Sequence, residues 1–161
     1  MIVRNSRRTA IHPNNQACDL AAQLHPNCVV CSQSNPCGLC LCFAVGPDDT
    51  VEAEFELDPM VEGYVGWSHG GVASAVLDGA MTNWLFAHDL ICVTAELTVR
   101  FRHPVVLNEP AKVTARLKNS SHPLYVLDAE ISQNGSLKTR ATGKFMYREC
   151  ETERAKTIVR T

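Results

Sequence analysis

Between residues 66 and 81 the sequence reads GWSHGGVASAVLDGAM, and two kinds of chemistry fit it. Gly66-Trp67-Ser68-His69-Gly70 has the G-x-S-x-G spacing of a nucleophile elbow, in which a serine on a tight strand-to-helix turn attacks a carbonyl. His69-Gly70-Gly71, with Asp78 further on, instead forms a helix start followed by a carboxylate. Glycines cost a helical turn roughly 1 kcal/mol each against alanine. Their bare N–H groups, however, stay open to a ligand oxygen, and the helix dipole adds partial positive charge there. Such donors hold an oxyanion or polarise a carbonyl. His69 either orients this turn through its ring or is simply the helix-entry residue. Asp78 sits among Val76, Leu77, Gly79, Ala80 and Met81, where a carboxylate needs a partner or a purpose unless it faces outward.

The surrounding elements speak against the serine. An elbow follows a buried parallel strand, whereas DPMVEGYVGW carries Pro59 and two glycines and has no apolar run. A later acid such as Asp128 falls on a meander strand, with no βαβ units around it. Ser68 and His69 are adjacent and cannot pair as nucleophile and base. Ser68 is therefore expected as an N-cap or pre-helix residue, its oxygen offered to orphan helix donors.

From Ser68 to Leu90 the apolar period is that of a helix, with Val72, Val76, Ala80 and Trp84 on one ridge and Ala73 and Leu77 beside it. Small residues on that ridge suit close packing against a sheet. Upstream, GLCLCFAV and TVEAEFELD flank the turn Gly46-Pro47-Asp48-Asp49. Val51, Ala53, Phe55 and Leu57 alternate with polar residues, which predicts a hairpin with one buried face. Downstream, VTAELTVRFRHP, AKVTARLKN, LYVLDAEISQ and LKTRATGKFMYRE read as strands. They are parted by Pro104 to Pro110, by Asn119 to Pro123 and by Asn134-Gly135, a tight-hairpin dipeptide. Turns this short exclude parallel crossovers. The expected class is α+β, an antiparallel sheet of five to six strands wrapped around one long central helix. Residues 1–27 form an N-terminal segment with a short helix over 14–24 that ends at His25-Pro26. Residues 28–149 form the domain, and 150–161 a polar tail.

The eight residues from Gly70 to Asp78 span about 12 Å of helix axis, so one helix cannot bring both to the same small reacting group. Two copies, antiparallel across a two-fold axis, would. Each site then pairs the helix start of one subunit with the aspartate of the other.

With 161 residues, 45% hydrophobic and 20% charged, and a formal net charge of -2, the chain reads as one ordinary globular domain without a basic field for nucleic acid or anionic membrane. No signal-peptide core follows Arg7-Arg8 and no apolar run is long enough to span a bilayer, so the expected location is cytoplasmic. Eight cysteines are many for a reducing compartment. Cys28, Cys31, Cys37 and Cys40 spell C-x2-C-x5-C-x2-C, two metal-knuckle pairs, but structural zinc sites usually separate their knuckles by about 12–20 residues. Buried or loop thiols are the expected reading, ahead of a metal or a disulfide, and Cys42, Cys92 and Cys150 are expected as packing residues.

Three stretches, in order, resemble the hotdog-fold thioesterases, specifically the phenylacetate-pathway-like (PaaI-like) acyl-CoA thioesterase group, over residues 28 to 148. CVVCSQSNPCGL is similar to that group's C-x-x-C-G-x-x-N-P-x-G-L opening. HGGVASAVLDGAM is similar to its H-G-G with Asp nine positions after the His, and VTAELTVRFRHPV to its returning strand that ends in proline. The resemblance implies a hotdog homodimer or homotetramer that hydrolyses an acyl-CoA thioester, with no metal and no cofactor. It implies that Asp78 acts as general base or nucleophile, that N–H groups of Gly70 and Gly71 beside His69 polarise the carbonyl, and that Thr94 assists the water or the aspartate. Asn35, Gly63, Trp67, Arg100, Arg102 and His103 are the expected substrate-binding positions. Gly63 departs from the group, which often has Asn six before the His, and the departure bears on how the water is oriented. Arg100, Arg102 and His103 could meet coenzyme A phosphates, but their alternation with Leu97, Val99 and Phe101 makes a solvated strand face the better reading. Trp67, Trp84 and Phe86 could line an acyl pocket, but core packing is the expected role.

The chemistry is self-consistent. A thioester carbonyl is electrophilic and its leaving thiolate stable, so a base contributing about 10²–10⁴-fold and one or two N–H donors at about 10²–10³-fold each suffice. The rival readings are a hotdog module that binds acyl-CoA without cleaving it, a hotdog hydratase, whose His-and-Asp signature is absent, and a metal-sensing or redox protein using the cysteine loop.

Overall fold

Alternating apolar residues make strands on both sides of the helix. In the computed structural model, which describes residues 21–148, β1 (Ala44–Val45) and β2 (Val51–Glu56) form the expected hairpin. Val51, Ala53, Phe55 and Leu57 are all buried. Asp48 and Asp49 take the left-handed conformation in the turn between them, which short polar side chains tolerate. Two strands that the sequence did not announce, β3 (Glu62–Tyr64) and β4 (Trp67–Ser68), pair with each other just before the helix α1 (Gly70–Ala87). Then come β5 (Cys92–Phe101), β6 (Pro110–Ser121), β7 (Leu124–Gln133) and β8 (Ser136–Tyr147).

All but β3 and β4 join one antiparallel sheet in the order β1-β2-β6-β7-β8-β5. Its six strands meet the upper end of the expectation. Asn134 and Gly135 have φ of 51° and 73°, the positive pair that a tight hairpin turn demands. β6 runs further than its sequence pattern suggests, because Asn119, Ser120 and Ser121 pair with Val126, Tyr125 and Leu124 beyond an irregularity after Leu117. The loop between β6 and β7 shrinks accordingly to His122-Pro123.

The helix lies across the sheet. Val76, Leu77, Ala80, Met81 and Leu85 are fully buried, as are Val113, Ala115, Leu127, Ile131 and Phe145 of the strands. Gly143 of β8 is what lets them meet. A Cβ there would stand 2.6 Å from Phe145 Cε2 and 3.0 Å from Met81 Sδ. Gly143→Ala should therefore overpack the interface and cost about 1–3 kcal/mol. At about 2–4 °C per kcal/mol for a chain of this size, the loss is readable as a lower melting midpoint.

At the far end of α1, Trp84 Nε1 donates to Asp49 O (2.7 Å), and the His88 ring stacks on Trp84 and contacts Asp49 Oδ1 at 2.9 Å. These contacts pin the helix to the β1–β2 turn. The buried Gln133 side chain bonds Val106 N and O and Glu109 O, which fixes the connection between β5 and β6.

Some packing expectations need correction. Cys42 is exposed, because the inward positions beside it belong to Leu41 and Phe43. Trp67 is 46% exposed, unlike Trp84 and Phe86 at 2% each, because β4 lies outside the main sheet. Residues 21–24 are helical. The rest of the expected 14–24 helix, the tail and Cys150 fall outside the described residues. Among the described residues no helix is long and apolar enough to cross a membrane.

Candidate active site

The edge strand β5 and the helix α1 run side by side in opposite directions, and this sets the site's geometry. At one end the Thr94 hydroxyl donates to Asp78 Oδ1 at 2.8 Å. At the other end Gly70 packs on Phe101, close enough that a Cβ on the glycine would stand 3.4 Å from Phe101 Cζ. Asp78 is half-buried on the helix, and burial pushes its carboxyl above the usual carboxylate range. The Thr94 hydrogen bond, which favours the charged form, partly opposes that rise.

The helix start is more selective than its two glycines suggest. His69, extended at φ -62° and ψ 134°, is the N-cap, and its ring Nδ1 accepts from Gly71 N at 3.0 Å. Val72 N and Ala73 N both bond His69 O. Among the described residues nothing pairs with the N–H of Gly70, so Gly70 alone keeps an open donor. Gly71 is glycine for a local reason, since a Cβ would lie 3.0 Å from its own cap, His69 Nδ1. Ser68 does not cap the helix. It lies in β4, its N–H bonds Val105 O, and its Oγ is buried without a partner among the described residues.

A cleft of about 250 Å³ opens at this helix start, walled by Ser68, Gly70, Phe101, Arg102, His103 and Thr139, among others. Two of its hydroxyls, Ser68 Oγ and Thr139 Oγ1, are buried without hydrogen-bond partners among the described residues. An unpaired buried hydroxyl is costly unless something polar meets it, and here both line a cleft that a ligand can enter. Nothing in the sequence marks Thr139, which reads as one more inward residue of a strand.

The second cleft, of about 370 Å³, lies over the cysteine loop and is walled in part by His25, Cys31, Cys42 and Asn83. Cys31 and His25 hold the Cys28 thiol far below the usual thiol range, to about 3, while the same pairing and burial push Cys31 up. Cys28, Cys31, Cys37, Cys40 and Cys92 all carry free thiols.

The thioesterase-superfamily family model matches residues 66–138, the span from the turn before the helix through the start of β8. Over this stretch the chain is similar to the thioesterase superfamily, and its fold is the hotdog fold of the solved structures below. No curated protein sequence matches the chain. Among solved structures, the thioesterase superfamily protein RHA08564 superposes with a TM-score of 0.66 at 22% identity over 68% of this chain, which spans only 57% of that one. A phenylacetic acid degradation-related protein of Ralstonia eutropha JMP134 superposes at 0.61 and 23% identity, covering 67% of this chain and 85% of its own. A hypothetical thioesterase protein of Streptococcus pneumoniae TIGR4, solved with coenzyme A, superposes at 0.63 and 16% identity over 67% and 85%.

Within this fold the expected site residues separate into groups. Asp78 and Thr94 meet directly, and Gly70, Arg102 and His103 share the first cleft. Arg100 is exposed on β5 and does not line that cleft. Asn35 is engaged within the cysteine loop, donating to Asn27 O at 3.0 Å and accepting from Cys37 N at 2.9 Å. Gly63 packs on the helix entry so tightly that a Cβ would lie 2.9 Å from His69 Cα. A side chain at position 63 would therefore require the helix entry to shift, and the glycine offers none to orient a water. Trp67 stacks edge-on against Tyr64 at 6.4 Å, on the surface before the helix.

Proposed function

We propose that this protein is a PaaI-like acyl-CoA thioesterase whose active sites form between two subunits. One observation carries the reading: Asp78 with Thr94, and Gly70 with Phe101, lie at opposite ends of the same edge strand. β5 is a ten-residue edge with Val93 and Phe101 exposed, a template for pairing with a second copy. Antiparallel pairing of two β5 strands about a two-fold axis near Leu97 and Thr98 sets position 94 of one opposite position 101 of the other. Asp78 then comes beside the partner subunit's Gly70. The exposed Tyr64, Val65 and Trp67 add an apolar surface suited to such a contact.

In that arrangement the thioester carbonyl oxygen accepts from the open Gly70 N–H at the positive end of α1, and the cleft hydroxyls and His103 hold the atoms around it. As general base, the Asp78 carboxylate of the other subunit takes a proton from water as the water attacks, and the thiolate leaves with the free acid formed. As nucleophile, it attacks the carbonyl itself and expels the thiolate, leaving a mixed anhydride that water then cleaves to the free acid and the carboxylate. Arg102 at the cleft supplies positive charge for the phosphates of coenzyme A.

The base must be ionised to act. Because burial raises Asp78 and the Thr94 hydroxyl lowers it, the acid limb of the pH–rate profile should lie above the ordinary carboxylate range. Thr94→Val removes the lowering contribution, so the limb should move to higher pH, while Thr94→Ser should leave it near the wild-type position. A limb unmoved in Thr94→Val would remove Asp78 from the role of titrating base.

The space closed at Gly63 favours a second reading, a module that binds acyl-CoA without turnover. A hydrolysis panel of CoA esters from acetyl to palmitoyl, with aryl esters included, decides between the two. Turnover of at least one ester supports the enzyme, and binding without turnover across the panel supports the module.

A further inference from the structure

The four-cysteine pattern does not close on itself in the fold. Cys40 Sγ is turned to the Asn35 and Gly38 carbonyls, at 3.6 Å and 3.7 Å, and Cys37 is exposed. A different set comes together, with ligand atoms of His25, Cys28 and Cys31 all within 4.8 Å of one another. We propose that His25, Cys28 and Cys31 bind a single zinc ion.

The backbone builds this set. Cys28 N donates to His25 O at 3.1 Å and Ser32 N to Cys28 O at 3.2 Å, two successive turns that bring residues three apart to the same side. Val30 N donates to Cys28 Sγ at 3.4 Å, a backbone donor that steadies a ligand sulfur from behind. The His25 ring is fixed edge-on against Phe86 with centroids 4.8 Å apart. A tetrahedral zinc with bonds of about 2.3 Å to sulfur and 2.0–2.1 Å to nitrogen places its ligand atoms roughly 3.5–3.8 Å apart. Small side-chain rotations bridge the difference.

Two sulfurs and an imidazole select zinc over magnesium or calcium, which take oxygen. Three protein ligands leave the fourth position for water, and His25 and Cys31 both border the second cleft, which gives the ion its way in. Val30, between the two cysteines, packs on Gly79 so closely that a Cβ there would meet its Cγ1 at 2.6 Å. The ion would thus brace the loop that Val30 seats against α1, one residue from Asp78. This inference stands whether or not the chain hydrolyses thioesters.

The test titrates metal-free, reduced full-length protein with cobalt(II) and then zinc. The expected result is one equivalent of cobalt with thiolate-to-cobalt absorption in the near ultraviolet, displaced by one equivalent of zinc, and a melting midpoint raised by zinc. Cys28→Ser and Cys31→Ser should each abolish that absorption, and His25→Ala should weaken binding at least tenfold. Cys37→Ser and Cys40→Ser should leave it intact. If the cysteine variants prove unstable, the wild type still decides: absence of stoichiometric binding, or thiol counting that finds Cys28 and Cys31 joined as a disulfide, overturns the proposal. Binding that survives Cys28→Ser, or that needs Cys37 or Cys40, also overturns it.

Discussion

Asp78→Asn is expected to lower kcat for the best thioester by about 10²–10⁴-fold, the usual contribution of a positioned base, with the oligomer intact. Asparagine keeps the shape and an oxygen to accept from Thr94, but it cannot take a proton. The same variant should be the more stable protein at neutral pH. A carboxyl whose folded pKa is raised binds its proton more tightly when folded than unfolded, so stability grows as pH falls through the window between the two values. Above that window the buried charge is a cost, and the neutral amide does not carry it. Thermal melts at pH 7 should place Asp78→Asn above wild type, and the gap should close as the pH falls. A variant equally active and no more stable would show that Asp78 is an ordinary surface residue.

Gly70→Pro should cost about 10²–10³ in kcat, the loss typical of one oxyanion donor, because it deletes the one N–H that the helix start leaves open. Proline is a benign way to remove it. The first helical position favours proline, and His69 at φ -62° and ψ 134° already has the extended conformation that a residue before proline needs. A Cβ at position 70 makes only ordinary contact with Phe101. Substrate affinity should change little, since the donor acts on the developing charge. Unchanged kcat in a folded Gly70→Pro would move carbonyl polarisation elsewhere.

What the sequence makes legible is what its periods encode. The helix and the long strands follow from apolar spacing, and the Asn134-Gly135 turn from two residues that tolerate positive φ. β3 and β4 escape such a reading because they are too short to show a period. They pair with each other, His69 N to Val61 O continues that pairing just beyond them, and only Ser68 N to Val105 O ties β4 to a distant segment. Asp78 stands out as a charge among apolar neighbours, yet its contact with Thr94, sixteen residues on, is invisible to spacing and enters the sequence reading only through family resemblance. Which of the two glycines keeps an open donor depends on where the His69 ring points, a rotamer that no sequence pattern fixes. His25 lies three residues before Cys28, so its place in the thiol cluster was readable in principle. The regular four-cysteine spacing drew attention to Cys37 and Cys40 instead.

Subunit mixing tests most directly whether each site is shared between chains. Asp78→Asn and Gly70→Pro, each nearly inactive alone, are denatured together and refolded so that subunits pair at random. Half of the dimers are then mixed, and each mixed dimer holds one intact site, so activity should return to about one quarter of wild type. Confirmed exchange with no recovery would contradict the account, because it would mean that Asp78 and Gly70 serve the same site within one chain or do not share a site.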